Sequence, residues 1–142
     1  MHSMRRNLFA ASVLLLVGGC NFSVSTAHIN GVKIGKDKAM TQEATAFAPT
    51  DTIYVASDIG NSSSKTSVKG RLLVEDVAGQ QVGPIPGLET TVELPSSGTA
   101  TFDFSAPTSG WPVGKYKVEV LMMNDAGVQK DQKTVPFTVA GS

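Results

Sequence analysis

The sequence predicts an all-β protein folded as an antiparallel sandwich of two sheets with about seven to eight strands. After residue 49, apolar and polar residues alternate over most of the chain, which is the pattern of strands with one buried face. Turn-forming residues interrupt this alternation about every eight to twelve residues, and no helical repeat accompanies it. Short alternating segments of this kind bury their apolar faces by packing one sheet on another.

The first two strands are predicted before residue 60. Residues 27–34 alternate up to a turn at 35–38, and residues 41–46 are predicted to be extended rather than helical. In the strand that follows, one face is formed by Ile53, Val55 and Ile59. The polar run 60–65 is predicted to be a loop.

The middle of the chain is predicted to hold two strands separated by a proline-rich segment. The inward set of the first strand is Val68, Leu72 and Val74. Residues 80–82 are predicted to form a short return. Residues 83–87 are not expected to support a regular ladder, because Pro84 and Pro86 have no amide hydrogen. The inward set of the second strand is Leu88, Thr90, Val92 and Leu94.

Three strands are predicted in the last third of the chain. Their inward sets are Ala100, Phe102 and Phe104, then Tyr116, Val118, Val120 and Met122, then Val135, Phe137 and Val139. A hairpin at 124–127 joins the last two strands. Pro136 faces away from the apolar set of its strand, which predicts an edge position or a bulge there.

Composition limits the classes of function. The 142 residues include twelve Lys and Arg, twelve Asp and Glu, and one cysteine. Arg5 and Arg6 belong to the N-terminal segment described below, and without them acidic residues exceed basic residues by two. This balance provides no basic patch, and we expect no nucleic-acid partner. One cysteine allows no disulfide within the chain, so packing must stabilise the domain.

An apolar segment preceded by basic residues ends at the cysteine. Arg5 and Arg6 stand before residues 8–17, which are almost entirely apolar but far shorter than the roughly 20 residues that span a bilayer. The segment closes with Val17, Gly18, Gly19 and Cys20. This arrangement resembles the lipobox of a bacterial lipoprotein signal peptide, from which it departs by having Val17 where the family usually has leucine.

The lipobox resemblance implies cleavage before Cys20 and covalent attachment of lipid to its sulfur, with no other cofactor. Residues 1–19 would then be a signal peptide, residues 20–26 a lipidated N-terminus and tether, and residues 27–142 one sandwich domain. The lipid would hold the protein on a membrane of the cell envelope. Asn21 rather than aspartate follows the cysteine, which resembles a signal for the outer membrane, facing the periplasm or the cell surface. The alternative is an ordinary secretory signal in which Cys20 carries no lipid.

Two further segments are FAPTDTIY at residues 47–54 and GWPVGKYKVEV at residues 110–120. With them the chain resembles, over about residues 24–140, a family of largely uncharacterised Ig-like domains in proteobacterial envelope lipoproteins. The resemblance implies an Ig-like or fibronectin-III-like fold, an envelope location and no catalytic residues. Tyr116 is placed like the tyrosine of a tyrosine corner, whose hydroxyl reaches back to the main chain. The chain departs from true immunoglobulin domains by lacking paired cysteines and by having Trp111 before the penultimate strand.

Candidate catalytic residues are few, and none is assigned. His28 is the histidine that remains after residue 19, which argues against a Ser-His-Asp or Cys-His site and against a zinc site. Two carboxylate sets could in principle act on sugars. They alternate with apolar residues and are predicted to face solvent: Glu75 with Asp76, and Glu89 with Glu93.

Three features leave alternatives open. Oxygen ligands for calcium could come from Asp51, Asp58, Asp125 and Asp131, but these lack the D-x-D-x-D spacing, and no metal ligand is assigned. Trp111 either covers the end of the core or is exposed to bind a partner. Loop 60–65 either binds a ligand or only connects two strands.

The leading functional hypothesis is a non-enzymatic, lipid-anchored envelope lipoprotein. Its sandwich would mediate interaction with an unknown envelope protein or give structural support. The alternative is an accessory module of the envelope that binds a ligand, a glycan or calcium.

Overall fold

Eight strands build residues 26–141, the part of the chain that the computed structural model describes. In chain order they are β1 (His28–Gly35), β2 (Ala46–Phe47), β3 (Ile53–Gly60), β4 (Thr66–Val77), β5 (Gly83–Leu94), β6 (Gly98–Phe104), β7 (Gly114–Met123) and β8 (Gln129–Val139). The described residues form no helix, and therefore contain no helix with the length and hydropathy to cross a bilayer.

The strands form two sheets packed as an Ig-like sandwich. One sheet has the order β1-β3-β6 and the other β2-β8-β7-β4-β5. All paired strands are antiparallel except β2, which runs parallel to β8. The strand β5 pairs with β4 rather than with β6, which leaves three strands in one sheet and five in the other. The predicted fold class is confirmed.

The predicted inward faces of four strands form the core. Each residue in these sets is at most 4% exposed: Ile53, Val55 and Ile59 of β3; Val68, Leu72 and Val74 of β4; Ala100, Phe102 and Phe104 of β6; and Tyr116, Val118, Val120 and Met122 of β7. Side chains of a strand alternate between its two faces, so a central strand buries every second residue once one face is covered. The alternation in the sequence therefore predicts the core correctly for β3, β4 and β7, which have neighbours on both sides, and also for β6, which lies at the edge of its sheet.

The prediction for β5 was wrong in two respects. The strand begins at Gly83 and includes both prolines, because it lies at the edge of its sheet, where an absent amide hydrogen faces no neighbour. Its ladder is irregular, as predicted, since the pairing with β4 jumps from Glu89 to Pro84. At the edge the inward set is incompletely covered: Leu88, Val92 and Leu94 are half-buried, and Thr90 is exposed.

Pro136 occupies an edge position and not a bulge. It pairs in register with Lys117, and the irregularity between β7 and β8 lies at Met122 and Met123 instead. On the opposite side of β8, Thr138 N–H donates to Thr45 O and Ala140 N–H donates to Phe47 O. Pro136 faces that same side two residues earlier, at a point where β2 has not yet begun. Its absent amide hydrogen therefore leaves no acceptor on β2 unpaired.

Ser57 is a polar residue on the inward face of β3, in register with Val32 of β1 and Ala100 of β6. Its side chain is fully buried, and its Oγ has no hydrogen-bond partner within residues 26–141. Leaving a buried hydroxyl unpaired costs about 1–3 kcal/mol. This position therefore weakens the core.

We expect Ser57→Ala to raise the free energy of unfolding by about 1 kcal/mol, because it removes the unpaired hydroxyl. Denaturant titration followed by the fluorescence of Trp111 measures the change. Ser62→Ala is the matched control, since the buried Ser62 Oγ lies 2.7 Å from Thr66 Oγ1 and donates to Ser64 O at 2.9 Å. The control should lower stability. A Ser57→Ala protein no more stable than the parent would contradict the prediction.

Candidate functional site

The predicted lipid site, Cys20 with Val17, Gly18 and Gly19, lies outside the described residues, so lipid attachment stays a prediction. His28 is half-buried at the start of β1, and its Nδ1 is 2.8 Å from the carbonyl oxygen of Thr26. This histidine therefore contacts the main chain beside it.

The carboxylate pairs face solvent, as predicted. Glu75 and Asp76 are exposed near the end of β4. On β5, Glu89 forms ion pairs with Lys69 at 3.5 Å and Arg71 at 3.9 Å, and Glu93 pairs with Lys65 at 3.6 Å. Exposed pairs of this kind contribute about 0–1 kcal/mol each. The arrangement places basic groups, rather than a substrate cleft, next to these acids.

The four aspartates considered as calcium ligands are in four different local environments. Asp51 accepts a hydrogen bond from Ala48 N–H, and Asp58 accepts one from the Asn30 side chain. Asp131 accepts one from Ile29 N–H, and Asp125 is exposed in the β7–β8 hairpin. No group of three or more His, Cys, Asp or Glu that could hold a metal ion is found among residues 26–141.

Trp111 covers the end of the core. Its side chain is 3% exposed, its Nε1–H donates to Asp51 O at 2.8 Å, and its N–H donates to Pro49 O at 2.8 Å. Its ring also contacts Tyr116 edge-on, with 6.5 Å between ring centroids. The alternative of an exposed aromatic that binds a partner directly is therefore wrong. Trp111 instead joins the chain before β3 to the chain before β7.

Tyr116 forms the predicted tyrosine corner. Its hydroxyl donates to Pro112 O, four residues earlier, and burial raises the pKa of that hydroxyl above its ordinary value. Its ring stacks on Phe137 with 5.3 Å between centroids, and Phe137 contacts Phe47 edge-on at 5.5 Å. The four rings form one continuous row that runs from the loop before β7 to β2.

A small apolar cavity lies beside this row, with a volume of about 200 Å³. It is lined by Val74, Gln80, Ile85, Leu88, Pro107, Trp111, Pro112 and Tyr116, and we call it the Trp111 cavity. One wall is the unpaired segment of β5, and the other is the loop that leads from β6 to β7. The cavity exists because the ladder between β4 and β5 is interrupted where Leu88 and Ile85 lie.

The polar atoms of the aromatic wall are already satisfied. Trp111 Nε1–H and the Tyr116 hydroxyl both donate to main-chain carbonyls. The other polar side chain of the lining is Gln80, which is not hydrogen-bonded to these rings. A group that enters the cavity therefore meets mostly carbon. This site was not predicted from the sequence. The features that could have indicated it are the proline-rich segment 83–87 and Trp111.

An ion pair on the outer face of the five-stranded sheet was also missed. Arg71 of β4 contacts Glu119 of β7 through both Nε, at 2.6 Å from Oε1, and a terminal nitrogen. Gln132 of β8 donates to the other carboxylate oxygen of Glu119 at 2.8 Å. The Glu119 side chain is 12% exposed, so this network is better shielded from solvent than the other pairs. It links the three adjacent strands β4, β7 and β8.

Loop 60–65 is hydrogen-bonded to another part of the domain, and its role as a ligand site or as a connector stays open. Ser62 N–H donates to Ser97 Oγ at 2.8 Å, and Ser97 N–H donates back to Ser62 O at 2.9 Å. These bonds attach the loop to the turn between β5 and β6. Asn61 has a positive φ of 56°, which asparagine adopts more readily than most residues.

The chain is similar in structure to several solved proteins, while no family model and no curated protein sequence matches it. A Niemann-Pick type C2 protein from the Japanese carpenter ant matches with a TM-score of 0.49 and 12% identity, over 83% of this chain and 96% of that one. The soluble domain of PmoD from a Methylocystis species matches with 0.44 and 16%, over 84% and 94%.

Beta-glucuronidase 2 from Bacteroides uniformis matches with a TM-score of 0.51 and 14% identity. The match covers 79% of this chain but 14% of the glucuronidase, so it concerns a small part of that enzyme. At identities this low the likeness shows the fold alone, an all-β sandwich.

Proposed function

We propose that this chain is a lipid-anchored lipoprotein of the cell envelope whose Ig-like sandwich binds an envelope protein and has no catalytic activity of its own. The anchor is a lipid on Cys20, because the segment that ends there resembles a lipobox. The outer membrane, facing the periplasm, is the proposed location. The observation that carries the binding role is the Trp111 cavity.

The size and lining of the Trp111 cavity favour one apolar side chain of a partner protein. Its volume of about 200 Å³ is below the roughly 300–1,000 Å³ of pockets that hold drug-sized ligands. Its aromatic polar atoms are bonded within the domain, so a sugar or an ion would lose hydration there without replacement bonds. An aliphatic or aromatic side chain inserted in such a pocket is the usual anchor of a protein interface.

The surroundings of the cavity also suit a protein partner. Val82 is 69% exposed and lies two residues after Gln80 of the lining, and Val113 is 57% exposed and follows Pro112 of the lining. Exposed valines around a pocket add apolar area that a partner surface can cover. Pro84 and Pro86 are exposed on the edge strand β5, and they disfavour the addition of a strand from another protein at that edge. We therefore expect recognition by side chains rather than by strand pairing.

Photo-crosslinking in intact cells tests the binding role. A photoreactive residue at Val113, beside the cavity, should form an adduct with one dominant envelope protein. The same residue at Lys133, an exposed position on β8, is the control and should form no such adduct. Absence of an adduct at Val113 would contradict the proposal. A rise in Tm on adding calcium or glycan fragments would favour the ligand-binding alternative instead.

Filling the cavity should remove the adduct. Leu88→Phe places extra atoms in the cavity, and we expect at least about tenfold less adduct, since 1.4 kcal/mol corresponds to about tenfold in affinity and pocket anchors contribute about 2 kcal/mol or more. Leu94→Phe is the matched control, because Leu94 is a half-buried leucine of the same strand that does not line the cavity. Equal adduct from both variants would show that the cavity is not the binding site.

The lipid anchor is tested separately. Metabolic labelling with palmitate should mark the parent protein and not Cys20→Ser, and the variant should leave the membrane fraction. The physical reason is that two or three acyl chains together hold a protein stably on a membrane. An unlabelled parent protein would refute the lipid anchor, but it would not affect the argument that the cavity binds a partner.

A further inference from the structure

The first described residues lie at one end of the sandwich. His28 pairs with Gly60, the last residue of β3. Ala27 lines a shallow depression together with Ser62 and Ser64 of the β3–β4 loop and with Asn124 and Asp125 of the β7–β8 hairpin. The turn between β5 and β6 is at this same end, because Ser97 and Ser62 are hydrogen-bonded. We call the set of loops 61–65, 95–97 and 124–128 the tether end.

The exit point of the chain is held at this end by a bond between the two sheets. Ile29 N–H donates to Asp131 Oδ2 at 2.8 Å, which joins β1 to β8 across 102 positions of sequence. This hydrogen bond is the largest cause that lowers the pKa of the Asp131 carboxyl, and desolvation opposes it. The Ile29 side chain is 2% exposed in the core. The start of the domain is thus fixed relative to the tether-end loops.

The chain between Cys20 and the domain is shorter than the domain is long. Ala27 is seven positions after Cys20, and at a maximum of about 3.3–3.6 Å per position this stretch reaches about 25 Å. The longest strands, β4 and β5, have 12 residues, which at about 3.3 Å each corresponds to about 40 Å. A lipid on Cys20 therefore keeps the tether end close to the bilayer while the other end can stand clear of it.

The two ends differ in chemistry. The exposed residues of loop 61–65 are polar, and Lys65 is paired with Glu93. Loop 124–128 exposes the charged Asp125 and the apolar Val128, which is 52% exposed. At the opposite end are the Trp111 cavity and the exposed Val82 and Val113. The polar side chains of loop 61–65 can lie against lipid headgroups without burying apolar area.

We infer that the tether end faces the bilayer to which the Cys20 lipid belongs and that the Trp111 cavity points away from it. This orientation rests on the proposed function, because it needs the lipid anchor. It presents the cavity to a protein that approaches from the periplasm rather than to one embedded beside the lipid. The loops of the tether end, including the serine-rich loop, then form the surface apposed to headgroups.

Distance-dependent quenching from the bilayer tests the orientation. The lipidated full-length protein has no free thiol, so a donor dye can be attached at Asp125→Cys, at the tether end, or at Gln80→Cys, at the opposite end. Both positions are exposed. Vesicles of phosphatidylethanolamine and phosphatidylglycerol with a headgroup-linked acceptor should quench the dye at 125 several-fold more than the dye at 80.

Equal quenching at both positions, or stronger quenching at 80, would overturn the orientation while leaving the anchor intact. Flotation of the protein with the vesicles separates the two proposals. The same labelled variants carrying Cys20→Ser should not float and should not be quenched. If the protein with Cys20 also fails to float, the proposed anchor is refuted, and the orientation is refuted with it.

Discussion

Replacing Trp111 with alanine is expected to lower the free energy of unfolding by about 3–5 kcal/mol, the usual cost of removing a large buried aromatic. The side chain is 3% exposed and packs against Tyr116. Its removal would also open the existing cavity of about 200 Å³ toward the core. A loss of this size is a large fraction of the stability of a domain of this length.

Denaturant titration followed by circular dichroism measures the effect, since the variant has no tryptophan. Trp111→Phe is the informative control, because it keeps most of the ring contact and removes the hydrogen bond from Nε1–H to Asp51 O. It should lose about 1–3 kcal/mol, the cost of leaving a buried carbonyl unpaired. An alanine variant that loses less than the phenylalanine variant would refute the view that Trp111 stabilises by burial.

Gly114→Ala is the second substitution with a large expected effect. A Cβ at Gly114 would lie 2.6 Å from Asp76 O and 3.0 Å from Val77 Cα, which are main-chain atoms that cannot move without shifting β4. The residue also has a φ of 154°, in a region that residues with a side chain rarely adopt. The close approach occurs next to the β-bulge between Val74 and Asp76.

We expect Gly114→Ala to lower the free energy of unfolding by about 2–4 kcal/mol, because strain at a special backbone position adds to the clash. Thermal unfolding checks this. Two controls separate backbone strain from the clash. Gly127 has a φ of 81° and nothing within 4 Å of an added Cβ, so Gly127→Ala reports backbone strain alone. Gly31 also has nothing within 4 Å and no positive φ, so Gly31→Ala introduces neither strain nor clash. If Gly114→Ala is no worse than Gly127→Ala, the contact with β4 is not the cause.

The sequence predicts the central strands well because the information is local. Ile53 and Val55, or Val118 and Val120, are two positions apart and must lie on one face whatever the strand pairs with. The tyrosine corner is local in the same way, since the donor of Tyr116 and the acceptor of Pro112 are four residues apart. For such features the pattern of the chain is sufficient.

The failures occur where burial depends on which strands are neighbours. Thr90 and Leu88 have the alternation of a buried face, but β5 is an edge strand and leaves that face partly open. Residues 129–134 are polar and show no strand pattern, yet pairing with β7 makes them the first half of β8. The Trp111 cavity likewise depends on an interrupted ladder between β4 and β5.

By itself, the sequence determined the all-β class, the inward residues of the central strands, the corner at Tyr116 and the resemblance of residues 17–20 to a lipobox. Only the tertiary structure decided that β5 joins the five-stranded sheet, that Asp131 holds the start of β1, and that Trp111 lines a cavity rather than standing exposed. The physical reason is that alternation depends on adjacent residues, whereas sheet edges and cavities depend on contacts between segments far apart in the chain.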